Sequence, residues 1–418
     1  MARRLRLWVP RPLDLGRRLV DLLGPTGGAA RQSLVALGLN SSTSFVAGAF
    51  LGAITGTFET YPGLLVMVPA AIGLRGNIFG TFGNRISTAI HTGTFRFSFR
   101  RETVLGQNVA ASLSLTFVLS LILAVVARIT AVGFGIESAI GIIDLALVSI
   151  LGGLLASFIV LAATVLLSVG AVRRDWDMDN LVAPTVSTLG DVITIPSLFV
   201  ASLLLDHEAL SAALGWILCI VSVAVFVWSL NAHLAMLRQI VLESLPVLTA
   251  AVVLSTLAGV AVEKQLAIFA SLPALLVLEP AFVSSAGALG GILSSRVATS
   301  LHLGLIEPTL RPGVEARRDA LLMLVVGFPV FVFNAVGAFV VAVLLDLDGP
   351  SIGSMIAASL IGGLFVTLFV IALAYYGTIA AWRMDVDPDT YGIPIVTASV
   401  DFVGAVALIV TIIALGIA

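Results

Sequence analysis

Charged residues and cysteine are scarce in this chain of 418 residues. Only 11% of its residues are Asp, Glu, Lys or Arg, and the 22 basic residues nearly balance the 24 acidic ones. With so few basic residues, and those scattered, the chain has no electrostatic footprint for nucleic acid. Cys219 is the single cysteine, which excludes an internal disulfide and a cysteine metal cluster. It lies in an apolar run, where a small buried hydrophobe is expected.

Apolar residues are correspondingly abundant. They make up 59% of the chain, and the mean hydropathy is +1.12. Apolar runs long enough to span a bilayer lie at about 36–57, 62–92, 105–130, 139–170, 181–204, 209–230, 246–262, 270–302, 320–345, 351–381 and 391–417. The sequence therefore predicts an all-α membrane protein with eleven transmembrane helices.

The first 32 residues carry seven arginines interleaved with leucines, and Trp8 lies among them. They contain no apolar run long enough for the core of a signal peptide. We expect residues 1–32 to form a cytoplasmic, basic amphipathic arm on the anionic inner membrane surface.

The other basic residues indicate the direction of the spans, because cytoplasmic loops are rich in Lys and Arg. If the N-terminal arm is inside, the inside loops hold Arg96, Arg100, Arg101, Arg173, Arg174, Arg238, Arg311, Arg317, Arg318 and Arg383. The outside loops hold only Arg128 and Lys264 among basic residues. This predicts a multi-pass protein of the cell membrane with a cytoplasmic N-terminus and an extracytoplasmic C-terminus.

The two halves of the chain repeat each other. Residues 61–93 align without a gap on residues 272–304, and twelve of these 33 positions are identical. A second block, residues 173–191, aligns with residues 383–401 and shares a D-x-D-x-D pattern, a proline and an aspartate. Aligned proline, glycine, arginine and histidine are not expected by chance in a membrane protein, so we infer an internal duplication.

The duplication predicts a 5+1+5 arrangement. Residues 33–205 and 241–418 form two five-helix repeats, and residues 206–240 form a connecting transmembrane helix. Because five crossings are an odd number, the added crossing keeps both repeats parallel, related by a pseudo-twofold axis along the membrane normal. A central cation path between the repeats is then expected.

The leading candidates for metal binding are Asp191 and Asp401, each seven residues after a proline and each in a predicted span. A carboxylate at the bilayer centre costs about 2.5 to 3.5 kcal/mol on insertion scales, and a cation is the usual reason for one. The alternative is that each aspartate pairs with an arginine, Arg85 or Arg296, or caps a broken helix. Both arginines lie toward the cytoplasmic ends of long spans, where snorkelling to the surface is favoured.

Proline, glycine and polar residues in spans 2 and 8 are candidates for lining the path. Proline frees a backbone carbonyl, and glycine permits close approach of an ion or a helix. Ordinary kinking and tight helix packing are the alternative. The candidates are Pro69, Gly76, Asn77, Glu279, Pro280 and Gly287. The position equivalent to Asn77 is Ala288, and that equivalent to Glu279 is Val68, so this lining is asymmetric.

The two D-x-D-x-D segments are candidates for an acidic cytoplasmic vestibule that concentrates divalent cations. They comprise Asp175, Asp177 and Asp179, and Asp385, Asp387 and Asp389. The glycine and the distant glutamate of a calcium loop are missing, which excludes an EF-hand. Helix capping by Asp179 and Asp389 is the alternative.

The segments GLRGNIFGTFGNRISTAIH and SAGALGGILSSRVATSLHLG, with the block before each fifth span, resemble the solute carrier family 41 proteins and the membrane domain of MgtE-type magnesium transporters. MgtE proteins are dimers of a five-helix domain whose fifth helices carry the aspartates of a central magnesium site, so the resemblance implies that role for Asp191 and Asp401. Gly287-Ala288 departs from the Gly-Asn of the motif. The cytosolic domains of MgtE have no counterpart here, as in solute carrier family 41.

We therefore predict a divalent-cation transporter, most plausibly for Mg²⁺, with Mg²⁺ as the transported ion and no organic cofactor. Its partners are divalent cations and the lipid bilayer, and a monomer suffices because the repeat supplies a pseudo-dimer. One alternative is exchange of Mg²⁺ for Na⁺ or H⁺. An intramembrane aspartyl protease is the alternative from another class, because it also needs two membrane aspartates. Its G-x-G-D motif is disrupted here by Thr188.

Overall fold

The computed structural model describes residues 27–136, 138–174, 178–384 and 393–417. Eleven long helices account for most of this part of the chain. They are α1 (Gly27–Ala53), α2 (Leu64–His91), α3 (Val104–Gly133), α4 (Ile142–Arg174), α5 (Met178–Ser202), α6 (Glu208–Asn231), α7 (Ala235–Glu263), α8 (Ala274–His302), α9 (Val314–Leu344), α10 (Ile352–Arg383) and α11 (Ile393–Ala414). Short helices at Thr55–Thr60 and Leu266–Ser271 precede α2 and α8, and a 3₁₀ turn at Leu203–Asp206 follows α5.

All eleven long helices are long and apolar enough to cross a membrane. The described residues contain no strand. The prediction of an all-α membrane protein with eleven spans is thus confirmed, whereas the orientation of its termini stays a prediction. Helices α2 and α8 are the most buried of the eleven, which puts the two aligned segments of the repeat at the centre of the bundle.

Helix α7 differs from its predicted span, which began at Pro246. The helix begins eleven residues earlier, at Ala235, and Pro246 lies inside it. The segment before Pro246 contains the polar residues Arg238, Gln239 and Glu243, so it does not read as part of an apolar run. Gln239 and Glu243, one helical turn apart, form a hydrogen bond of 2.8 Å. A helix can continue through proline and beyond the bilayer surface where its polar groups find such partners.

The first helix of each half packs against the second helix of the other half. Helix α1 packs on α8, and α7 packs on α2. A Cβ atom added at Gly48 of α1 would collide with the backbone of Val277 in α8, and one added at Gly259 of α7 would collide with the backbone of Val66 in α2. Both pairs are related by the 211-residue offset of the repeat. The two halves are therefore interlocked through glycine-mediated helix contacts.

Helix α6 lies at the edge of the bundle against α3 and α4. It packs by a stripe of small side chains, including Ser211, Gly215 and Ser222, and Gly215 approaches the backbone of Ile143. Large apolar side chains such as Trp216 occupy its exposed surface. Its peripheral place suits the predicted connecting helix of residues 206–240, although the domain boundaries themselves stay predictions.

Candidate cation site

A cavity of about 400 Å³ lies between the two halves of the bundle. Its wall is formed by α1, α2, α5, α8 and α11. The eight residues predicted to bind metal or line a path all border it: Pro69, Gly76, Asn77, Asp191, Glu279, Pro280, Gly287 and Asp401. The fold thus brings the candidates from both repeats to one space.

The cavity wall is acidic. Three carboxylates border it, those of Asp191, Glu279 and Asp401. No Lys, Arg or His is among its lining residues in the part of the chain that the structure describes. Uncompensated carboxylates of like charge at bilayer depth favour a cation near them.

The Asp401 carboxylate has neighbours in both halves. Its Oδ2 atom accepts a hydrogen bond of 2.8 Å from the Ser255 hydroxyl on α7. A Cβ atom at Gly73 of α2 would lie 4.0 Å from the same oxygen, so glycine keeps this approach open. Asp401 therefore faces the first repeat although it belongs to the second.

Prolines interrupt both central helices where they meet the cavity. Pro69 lies inside α2 and Pro280 inside α8, and both border the cavity. A proline inside a helix cannot donate to the carbonyl four residues earlier, which leaves the carbonyls of Leu65 and Leu276 without that bond. Leu65 and Leu276 are buried and are not among the residues that border the cavity, so these carbonyls are not assigned to the site.

Helix α1 contributes a polar wall that the sequence reasoning missed. Asn40 and Ser44 border the cavity, and the Asn40 amide donates a hydrogen bond of 2.9 Å to the Ser284 hydroxyl on α8. The repeat offers a signal for Ser44, because it aligns at the 211-residue offset with Ser255, which bonds Asp401. No such signal exists for Asn40, whose aligned residue is Ala251.

The arginines considered as partners of the membrane aspartates have other neighbours. Arg296 donates two hydrogen bonds, of 2.9 and 2.5 Å, to Oδ1 of Asp319 on α9. Arg85 lies within electrostatic reach of Glu243 on α7. Among the described contacts, neither arginine bonds to Asp191 or Asp401, so pairing with these arginines does not account for the two aspartates.

A third arginine, Arg75, is fully buried in α2 and was not predicted as a functional residue. Its Nη2 atom donates a hydrogen bond of 3.0 Å to the Ser120 hydroxyl on α3. Its Nε and Nη1 atoms have no hydrogen-bond partner within the described residues. A positive charge near the middle of the apolar second span was the sequence signal that could have revealed it.

The donor set fits a hydrated ion better than a tightly caged one. The described residues contain no group of three or more His, Cys, Asp or Glu side chains able to hold a metal together. Mg²⁺ is typically held by one or two carboxylates while it keeps several of its waters. Carboxylates spread around a roomy cavity can serve such an ion through its water shell.

The predicted cytoplasmic vestibule lies almost entirely outside the described residues. This applies to Asp175, Asp177, Asp385, Asp387 and Asp389. The backbone of Asp179 is the second residue of α5, but its side chain is also outside the described set. The vestibule stays a prediction.

Comparison with known proteins identifies relatives along most of the chain. The family model for MgtE, described as a divalent cation transporter, matches twice, at residues 68–201 and 279–411. Solute carrier family 41 member 3 of Rattus norvegicus is 24% identical over 373 residues, covering 83% of this chain and 78% of its own length. Member 2 of Homo sapiens is 25% identical over 380 residues, covering 84% of this chain and 64% of its own. No solved structure matches.

The double match agrees with the duplication and with the resemblance inferred from the motifs. Each half matches the same family separately, and the starts of the two matches reproduce the 211-residue offset of the repeat. Because the family consists of transporters, the aspartyl protease alternative is wrong. The chain belongs to the MgtE family of divalent cation transporters.

Proposed function

We propose that this protein transports Mg²⁺ through the central cavity, with Asp191 and Asp401 holding the hydrated ion between the two repeats. The observation that carries the proposal is the acidic cavity wall: three carboxylates and no basic residue among its described lining. Asp191 and Asp401 are the aligned pair, and Glu279 adds a third carboxylate from the second repeat only.

The size of the cavity supports a hydrated ion. Six waters at about 30 Å³ each occupy roughly 180 Å³. The cavity, at about 400 Å³, has room for Mg²⁺ with its complete first shell of water. Mg²⁺ gives up this shell reluctantly, so outer-sphere contacts with carboxylates and carbonyls would hold the ion without the cost of dehydrating it.

The predicted 5+1+5 arrangement favours a site shared by two parallel repeats. Helices α2 and α8 carry the aligned motifs, and with α6 as an extra crossing they traverse the membrane in the same direction. The matched contacts of Gly48 with Val277 and of Gly259 with Val66 suit a pseudo-twofold relation. One chain would then form a complete path, and a monomeric transport unit is expected in the cell membrane.

The test is Mg²⁺ flux into proteoliposomes loaded with a Mg²⁺-sensitive dye. Asp191→Asn and Asp401→Asn should each lower the initial flux at least tenfold, because each removes a charge from the site. Asp346→Asn is the matched control: Asp346 is exposed in a loop at φ 54°, a conformation that asparagine tolerates. Wild-type flux in both cavity variants, with equal protein incorporation, would refute the site assignment.

The same vesicles separate a channel from an exchanger. Mg²⁺ flux is measured with an imposed Na⁺ or pH gradient, and again after an ionophore has collapsed that gradient. A channel follows the Mg²⁺ gradient and the membrane potential alone. Loss of flux on collapse of the Na⁺ or H⁺ gradient, at a clamped potential, would instead establish coupled exchange.

A further inference from the structure

Arg75 is enclosed by four helices of the first repeat. Its side chain is 0% exposed, and Ser120 of α3 is its only described hydrogen-bond partner. Two glycines make room for it: a Cβ atom at Gly153 of α4 would collide with Nη2, and one at Gly190 of α5 would lie 3.3 Å from Cβ of Arg75. A guanidinium group stays protonated even in such surroundings, so this is a fixed positive charge.

The backbone of Arg75 lies next to the wall of the cavity, and its guanidinium extends toward Ser120 of α3 and Gly153 of α4. Arg75 is the chain neighbour of Gly76, which borders the cavity, and it contacts Gly190, the chain neighbour of Asp191. In the second repeat the aligned residue is Ala286, and that repeat carries the additional carboxylate Glu279. At these aligned positions, the first half thus carries one additional positive charge and the second half one additional negative charge.

Two other arginines near the central helices have acidic neighbours. Arg296 forms an ion pair with Asp319, and Arg85 lies within reach of Glu243. Arg75 has no carboxylate partner in the described part of the chain, and the cavity carboxylates have no basic residue among their lining neighbours. Buried charges without direct partners are costly. We therefore consider the unpaired Arg75 guanidinium and the unpaired cavity carboxylates together.

We propose that Arg75 is the fixed counter-charge of the cation site and sets its net charge to that of one divalent ion. Three ionised carboxylates and one guanidinium sum to −2, which a single divalent cation neutralises and a single monovalent cation does not. This inference rests on the proposed function of the cavity. It makes Arg75 a positioning residue that acts through the field, without touching the ion.

The proposal predicts the sign of a substitution effect that structural damage would not produce. Arg75→Gln removes a positive charge near the ion, so Mg²⁺ should bind more tightly. For a charge on the order of 10 Å away at an effective dielectric constant of about 20, the gain is roughly 15-fold for a monovalent ion and about 250-fold for a divalent ion. Glu279→Gln should weaken binding of both ions, and of Mg²⁺ more than of Na⁺.

The experiment measures Mg²⁺ and Na⁺ binding to purified full-length protein in detergent by isothermal titration calorimetry. Arg75→Gln, Arg75→Met, Glu279→Gln and the double variant Arg75→Gln/Glu279→Gln are compared with the wild type. The double variant restores a net charge of −2, so its Mg²⁺ affinity should exceed that of Glu279→Gln alone. Arg296→Gln/Asp319→Asn removes a neutral pair outside the cavity, and its affinity should be unchanged.

Tighter Mg²⁺ binding in both Arg75 variants, with a smaller gain for Na⁺ and recovery in the double variant, would support the proposal. Unchanged or weaker Mg²⁺ binding in both Arg75 variants, or a double variant that binds more weakly than Glu279→Gln, would overturn it. The two proposals fail separately. If Asp191→Asn and Asp401→Asn abolish flux while the Arg75 variants do not tighten binding, only the counter-charge assignment is lost.

Discussion

The crossed contact between α1 and α8 predicts that one added methyl group will destabilise the bundle. Gly48→Ala places a Cβ atom against the backbone of Val277, and Gly259→Ala does the same against Val66. The atoms that each Cβ would meet belong to the backbone, so a side-chain rotation cannot relieve the overlap and the helices must separate. Overpacking of this kind costs about 1 to 3 kcal/mol.

The control is Gly38→Ala on the same helix α1. A Cβ atom there has nothing within 4 Å. Because glycine is destabilising inside a helix by roughly 0.5 to 1 kcal/mol relative to alanine, this variant should be slightly more stable than the wild type. Alanine should therefore raise stability at Gly38 and lower it at Gly48 and Gly259.

The assay is unfolding of purified protein in mixed micelles of increasing denaturing detergent, followed by intrinsic tryptophan fluorescence. Loss of stability should be similar for Gly48→Ala and Gly259→Ala, since the two contacts are equivalent in the repeat. Mg²⁺ flux should also fall, because a displaced α1 moves Asn40 and Ser44 in the cavity wall. Crossing variants as stable as Gly38→Ala would refute the close helix contact.

Three further predictions concern the cavity wall and its support. Ser255→Ala removes the hydrogen bond to Asp401. Because hydrogen bonds to charged groups contribute about 1.5 to 3 kcal/mol, the Mg²⁺ affinity measured by titration should fall roughly tenfold or more. An unchanged affinity would show that this bond does not support the ionised carboxylate. Gly73→Val adds bulk beside the same oxygen, Oδ2 of Asp401, and should reduce Mg²⁺ flux severalfold with little loss of stability. Dye flux and detergent unfolding are measured on one preparation. Full flux would contradict an ion path along the Gly73 face of α2. Asn334→Ala removes an amide that donates a hydrogen bond to Ser285 and leaves that serine with fewer partners. The free energy of unfolding should therefore fall by about 1 to 3 kcal/mol. A change below about 0.5 kcal/mol would count against this contribution.

The sequence was sufficient to predict eleven spans and eight of the residues that border the cavity. Apolar length gives the spans, and residues such as Asp191 and Asp401 are conspicuous because a charge at bilayer depth is costly. The duplication also predicted that Asp191 and Asp401 occupy equivalent positions in the two halves. These signals are local or repeat at a fixed offset, so one sequence contains them.

The partners of the helices were not predictable in the same way. Every apolar helix face presents similar chemistry, so nothing in α1 favours α8 over α2 until small residues such as Gly48 are fitted to a particular backbone. Arg75 was missed for a related reason. Its burial depends on Gly153 and Gly190, on helices that only the fold brings beside it.

The interlocked packing has a consequence for synthesis in the cell. Helix α2 leaves the ribosome long before α7, its neighbour at Val66, is complete at Glu263. At 5 to 20 residues per second, the roughly 170 residues between them take on the order of ten to thirty seconds to make. During that interval the nascent first half must hold Arg75 and Asp191 in the membrane without α7 and α8. Insertion machinery, lipid or water has to accommodate those charges until translation supplies the second half.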